Sequence, residues 1–190
     1  MARAIDAKSQ WTAGHSERVT ELALQIGHRM GLSAKEVQIM QMGGLLHDIG
    51  KIGTPPAILD KPSKLTDEEM CIMKDHVGTG LRILEPIPGF RDALPIVSQH
   101  HEWFNGKGYP LGLAGNQISL YARIFAVADC YDALTSDRPY RAGLPASQTI
   151  AMLQEKSGVQ FDPEVIEVFT TMMADGAPER KAVAACSEAK

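Results

Sequence analysis

Apolar residues in this chain recur at helical spacing, and strand-type alternation hardly appears. His15, Val19, Leu22 and Ile26 follow one another at steps of four, three and four, which predicts a helix over about 13–30 with Gly31 closing it. Ser33 and Glu36 form a capping box that opens "SAKEVQIMQMGGLLHDIG", and the glycines and double proline of "IGKIGTPP" forbid its continuation. Thr66 and Glu69 repeat the box and open a predicted helix carrying Met73, Val77, Gly80, Leu81 and Leu84. A fourth helix is predicted from near Gly89 through His101, bent by Pro95, with a loop from Glu102 to Ile118 after it. "SLYARIFAVADCYDAL" and "ASQTIAMLQEKSG" read as the fifth and sixth. Asp162 as N-cap and Pro163 at the first helical position open the seventh. The pattern predicts an all-α fold, a single bundle-like domain of about seven helices, with no internal repeat.

Composition narrows the setting. With 190 residues, 44% hydrophobic and 22% charged, the chain suits one globular domain. No apolar run approaches the roughly 20 residues that span a bilayer. "MARAIDAKSQW" lacks the apolar core and cleavage site of a secretory signal. Cys71, Cys130 and Cys186 are odd in number and show no CxxC spacing, so free thiols in a reducing cytoplasm are expected, and no membrane association. A net charge of −4 excludes a broad nucleic-acid-binding surface, which leaves any phosphate recognition to a few placed cations. Residues 1–12 read as the remnant of a linker helix, 13–175 as the domain, and the alanine-rich 176–190 as a frayed tail.

The chemistry-bearing residues are unevenly placed. Five of the 6 histidines, His15, His47, His76, His100 and His101, fall at or near apolar faces of predicted helices. His28, about 220° around the helix from His15, belongs on the solvent side. Asp48 follows His47 directly, and Asp129 interrupts an apolar run, where a carboxylate must be paired, protonated or metal-bound. Any one of these alone reads most simply as a satisfied core residue. The seven together read as a metal site. Imidazole and carboxylate without thiolate suit iron, manganese or zinc, and suit a structural zinc site poorly. Seven ligands exceed one tetrahedral ion, and a bridging carboxylate could hold two ions with a hydroxide between them, in line with a phosphodiester.

Other residues admit two readings each. Lys51 sits between Gly50 and Gly53, a poor place for a merely solubilising lysine. Glu102 could orient a histidine ring or cap a helix end. Asp132, one turn beyond Asp129, is either a partner of a ligand or a polar helix residue. Trp103 and Phe104 either stack on a base or pack on the domain, while Cys130 reads as a small core residue.

"HDIGK", with its dispersed histidines, resembles the HD superfamily of metal-dependent phosphohydrolases. "HHEWFNGKGYP" fits HHExxxGxGYP and resembles the HD-GYP cyclic di-GMP phosphodiesterases. "ILDKPSKLTDEE", "MKDHVGTG" and "ARIFAVADCYDALTSDRPYR" continue the resemblance, which covers roughly Trp11 to Phe169. It implies that His15, His47, Asp48 and Asp129 hold a first metal, and that Asp48 bridges to a second held by His76, His100 and His101. It further implies that Lys51 contacts the scissile phosphate, that Arg138 and Arg141 grip the substrate's phosphates, and that Gly108, Tyr109 and Pro110 form the named loop. The implied reaction is hydrolysis of cyclic di-GMP to pGpG by metal-bound hydroxide, with onward cleavage to GMP left open.

One departure matters. Some members carry a metal-binding glutamate where this chain has Trp11, so two ions are expected rather than three, with iron or manganese ahead of zinc. Rival readings are hydrolysis of a mixed cyclic dinucleotide, a di-iron oxygenase, and a degenerate module in which the loop docks diguanylate-cyclase-type partners. The phosphate-gripping cations argue against the oxygenase, and the intact ligand set against degeneracy. Family members often follow a sensory or receiver domain, so an upstream one is expected in a longer chain.

Overall fold

The structure, a computed structural model, describes residues 14–137 and 142–176. Its helices are α1 (His15–Arg29), α2 (Ala34–Leu46), α3 (Pro56–Leu59), α4 (Asp67–Lys74), α5 (His76–Leu84), α6 (Leu94–Gln99), α7 (Leu120–Thr135), α8 (Ala146–Glu155) and α9 (Pro163–Ala174). No strand is present among the described residues, only two isolated bridges. The all-α expectation holds.

Local chemistry sets most of the helix starts. Ser33 accepts from the Glu36 backbone N–H while Glu36 reaches back to the Ser33 N–H, and Thr66 with Glu69 does the same. Each box satisfies donors that the first turn would otherwise leave orphaned. Asp162 accepts from the Glu164 backbone N–H with Pro163 at the first helical position, and it also pairs with Arg123 of α7. The same side chain thus starts α9 and ties it to α7.

Three differences from the sequence reading have physical causes. The helix opened by Thr66 is two helices meeting at Asp75, because α4 buries nothing while α5 buries His76, Val77, Gly80 and Leu84. The fourth helix begins only at Leu94, after a 3-10 stretch over Pro88–Ala93. Pro95 does not bend it but sits in the first turn, where its missing N–H has no partner to lose. The double proline that ends α2's run also starts the short α3, with Pro56 at its first position.

α7 is the axis of the core. Its Ile124, Phe125, Val127 and Ala128 are fully buried against Val19, Ala23 and Ile26 of α1, Ile96 of α6 and Phe169 of α9. Each such large side chain contributes about 1.5–3 kcal/mol by leaving water. A smaller cluster of Leu46, Ile49, Leu84 and Val97 lies under the 3-10 turn Ile49–Gly53, which packs on α5.

That packing needs a glycine. A Cβ on Gly50 would lie 1.8 Å from the His76 carbonyl oxygen and 2.5 Å from the Gly80 nitrogen, both backbone atoms that cannot yield. The backbone just past Asp48 is thereby pressed onto the start of α5, which begins with His76. Gly50→Ala is expected to cost about 3 kcal/mol or more by overpacking, read as a lowered denaturation midpoint at unchanged m-value.

Candidate metal centre

The seven residues expected to ligate metal arrive from five places in the chain. His15 opens α1, His47 and Asp48 follow α2, His76 opens α5, His100 and His101 follow α6, and Asp129 lies in α7. His15, His47, Asp48, His76 and His100 are all buried. Their ligand atoms fall into two groups, His15 with His47 and Asp48, and Asp48 with His76, His100 and His101. Asp48 belongs to both, and its two oxygens divide the work. Oδ2 lies 3.8 Å from His15 Nε2 and 3.3 Å from His47 Nε2. Oδ1 lies 3.5 Å from His76 Nε2 and 4.0 Å from His100 Nε2. Asp129 joins the first side, with Oδ1 3.2 Å from His15 Nε2.

The outer nitrogens settle which tautomers are present. His47 Nδ1 donates to the Gly44 carbonyl at 2.6 Å, His76 Nδ1 to Met73 at 2.7 Å, and His100 Nδ1 to Ile96 at 3.0 Å. A carbonyl can only accept, so each Nδ1 carries a proton and Nε2 faces inward. His47 Nε2, His76 Nε2, His100 Nε2 and Asp48 Oδ1 are buried with no hydrogen-bond partner. Orphaned buried acceptors are costly singly, and four converging on one region are the arrangement a divalent cation satisfies. The residues fit the expected metals.

His15 is held differently. Its Nδ1 donates to Asp132 Oδ2 at 2.8 Å, and Asp132 is fixed in turn by Arg18, through Nε at 2.7 Å and the terminal nitrogen at 2.9 Å. Of the two readings open for Asp132, the structure shows a partner of His15, itself a candidate ligand. Arg18 went unread in the sequence, although it lies one turn beyond His15 and so on its side of α1. His28 is exposed, as its position around the helix predicts.

Charges follow from this packing. Burial, joined by the neighbouring imidazoles, pushes His100 well below the usual imidazole value. Burial likewise takes His101 down to about 4, against the pull of Asp129 and Asp48. His76 is also lowered, mainly by burial. These rings stay neutral at pH 7, the form a metal ligand needs. Burial opposes charge on His15 too, but hydrogen bonds to Asp129 and Asp132 outweigh it and raise the ring to about 9. Asp48 is held well below the carboxylate range despite burial, by Lys51 and His47. Asp132 falls to about 2 because His15 and Arg18 overcome the same penalty.

Lys51 reaches this cluster, with Nζ 2.5 Å from Asp48 Oδ2. Beside His76 a cleft of about 370 Å³ opens between Gly50, Thr54, Cys71, Asp75 and Thr79.

The loop of Gly108, Tyr109 and Pro110 lies against the same cluster. The Tyr109 ring stacks on His101 with centroids 4.8 Å apart and planes 26° from parallel. The Glu102 carboxylate, however, bonds directly neither to a histidine ring nor to a helix end among the described residues. It is buried and accepts from the backbone N–H groups of Leu111 (2.6 Å), Gly112 (3.2 Å) and Leu113 (3.0 Å). Trp103 is on the surface, whereas Phe104 is half-buried and its N–H donates to Gln160. Cys130 is half-buried beside the core, as expected of a small packing residue. Arg138, Arg141, Trp11 and Cys186 lie outside the described residues, as do 1–12 and nearly all of the tail expected over 176–190.

The HD domain sequence profile matches residues 1–165. The chain belongs to the HD domain family. This HD domain is 40% identical over 169 residues to the cyclic di-GMP phosphodiesterase response regulator RpfG of Xanthomonas campestris pv. campestris, covering 88% of the chain and 45% of that protein. It is 41% identical over 160 residues to 3'3'-cGAMP-specific phosphodiesterase 3 of Vibrio cholerae serotype O1, covering 84% of the chain and 35% of that protein. Among solved structures, Bd1817, a HDG"Y"P protein from Bdellovibrio bacteriovorus, superposes with a TM-score of 0.71 at 21% identity, over 92% of this chain and 58% of that one. The chain therefore spans less than half the length of these two curated relatives.

Asp132→Asn is expected to weaken the ion group that contains His15 by about tenfold to a hundredfold, since a misoriented or wrongly protonated ring ligates poorly. Titration with Mn²⁺ alone checks it, with the group containing His76 expected to be unaffected.

Proposed function

We propose that this HD domain is a metal-dependent phosphodiesterase that opens cyclic di-GMP to linear pGpG. The observation that carries the reading is the division of Asp48 between two groups of inward-facing imidazoles. Oxygen and nitrogen donors without thiolate favour iron or manganese, with zinc a third choice. Two divalent ions held there supply Lewis acidity and an activated water for in-line attack at phosphorus.

The chain's own groups do the rest. His15, His47 and Asp129 would hold one ion, and His76, His100 and His101 the other, with Asp48 shared between the two groups. Lys51, already within reach of Asp48, offers a cation to the scissile phosphate as negative charge grows on it. Arg138 and Arg141 are assigned to the substrate's other phosphate by the DRPYR motif, and Gly108, Tyr109 and Pro110 to the wall of the substrate site. The names of the relatives support a cyclic dinucleotide as substrate.

A second reading keeps the chemistry and changes one base. It is favoured by the 41% identity to a protein named as specific for 3'3'-cGAMP. The response-regulator name of another relative, of whose length the chain covers 45%, supports a receiver or sensory domain in a longer chain. No helix among the described residues is long and apolar enough to cross a membrane.

The test is chromatography of cyclic di-GMP and of 3'3'-cGAMP after incubation with protein loaded anaerobically with Mn²⁺ or Fe²⁺, beside Asp48→Ala. Linear product from cyclic di-GMP is expected with intact Asp48, and a loss of at least a thousandfold without it, about 4 kcal/mol of transition-state stabilisation. Faster turnover of 3'3'-cGAMP would favour the second reading. Survival of both substrates with two ions bound would end the proposal.

A further inference from the structure

His15, His47, His76 and His100 each have a ring nitrogen anchored by an oxygen, from Asp132 or from a backbone carbonyl. His101 is the exception, with no ring hydrogen bond found among the described residues. What faces it instead is the Tyr109 ring, stacked at 4.8 Å, and the Tyr109 backbone N–H, which donates to the His101 carbonyl at 3.2 Å. The Lys74 ammonium also lies over the tyrosine ring, 4.8 Å from its centroid. The ring thus meets both a cation from the end of α4 and a candidate ligand from the end of α6.

Glu102 holds the loop just past that ring. Three successive amides, from Leu111 to Leu113, turn inward to its buried carboxylate. The returning chain crosses directly over Glu102. A Cβ on Gly108 would lie 2.2 Å from the Trp103 nitrogen and 2.5 Å from the Glu102 Cα, so only glycine passes. Further bonds, from Gly106 N–H to Trp103 and from Gly115 N–H to Phe104, close the base of the loop. They do not touch the segment that carries Tyr109.

We propose that Glu102 is a positioning residue for the ion group of Asp48, His76, His100 and His101: it fixes the loop in the register that stacks Tyr109 on His101. The inference rests on the metal reading above but not on the substrate. A glutamine at 102 has the shape of glutamate yet offers one acceptor, and its amide N–H₂ opposes one of the three backbone donors. The loop then loses its register, and His101 loses the surface that orients it.

The test uses Mn²⁺ alone, titrated calorimetrically into the whole chain and into Glu102→Gln, Tyr109→Leu, Tyr109→Phe and the double variant Glu102→Gln/Tyr109→Leu. Wild type is expected to take up two ions, and His76→Ala identifies which step belongs to the group containing His101. Glu102→Gln and Tyr109→Leu should each weaken that step about tenfold and leave the other within twofold, the size of loss seen when a ligand's supporting partner is removed. Tyr109→Phe keeps the stack and should keep the affinity. The double variant should lose no more than either single one, because both act along one path. If Glu102→Gln weakens both steps equally, leaves both unchanged, or adds fully to Tyr109→Leu, Glu102 is not positioning His101 and the inference falls. If wild type takes up a single ion, the shared-carboxylate reading falls with it. If two ions bind as expected but no dinucleotide is cleaved, only the proposed substrate is lost.

Discussion

The whole arrangement turns on a carboxylate that water scarcely reaches. Asp48 is 4% exposed and has imidazole nitrogens facing both of its oxygens. A buried charge of this kind is tolerable only if it is compensated, and so it constrains everything near it. α2 must end where it does to release His47 and Asp48 into the centre. The 3-10 turn must be tight enough to bring Lys51 back to Asp48, and α5 must begin on a histidine pressed against Gly50. The fold is built around satisfying one ion rather than around a cavity.

Much of this can be read from the residues in order. The capping boxes at Ser33 and Thr66 and the Asp162–Pro163 start are short-range chemistry, and the structure keeps all three. The seven candidate ligands could be singled out because histidines and aspartates on apolar faces are out of place locally. The break at Asp75 could not, since the apolar stripe from Met73 to Leu84 is continuous and only the contact with Gly50 shows why α5 stands apart. Asp132, one turn beyond Asp129, reads in the sequence either as a partner of a ligand or as a polar helix residue. Arg18 lies 114 residues away from it, and nothing local joins the two.

Glu102 marks the sharper limit. Beside two histidines, a glutamate suggests a partner for an imidazole, whereas its actual partners are amides nine to eleven residues onward. Backbone donors carry no residue identity, so a sequence cannot advertise them. The only trace was the glycine at 108, which marks a close crossing without saying what is crossed.

The five chain regions that supply the candidate ligands span residues 15 to 129, so no single element holds a complete group. Ions held there would tie α1 and α7 to the end of α2 on one side and α5 and α6 to it on the other, and the unfolded chain has no equivalent place for them. Free-ion concentration then enters the folding equilibrium directly, as the logarithm of one plus its ratio to the dissociation constant. A cell short of the preferred metal would hold a less stable protein as well as a less loaded one. Quality-control proteases would see that difference before any substrate did.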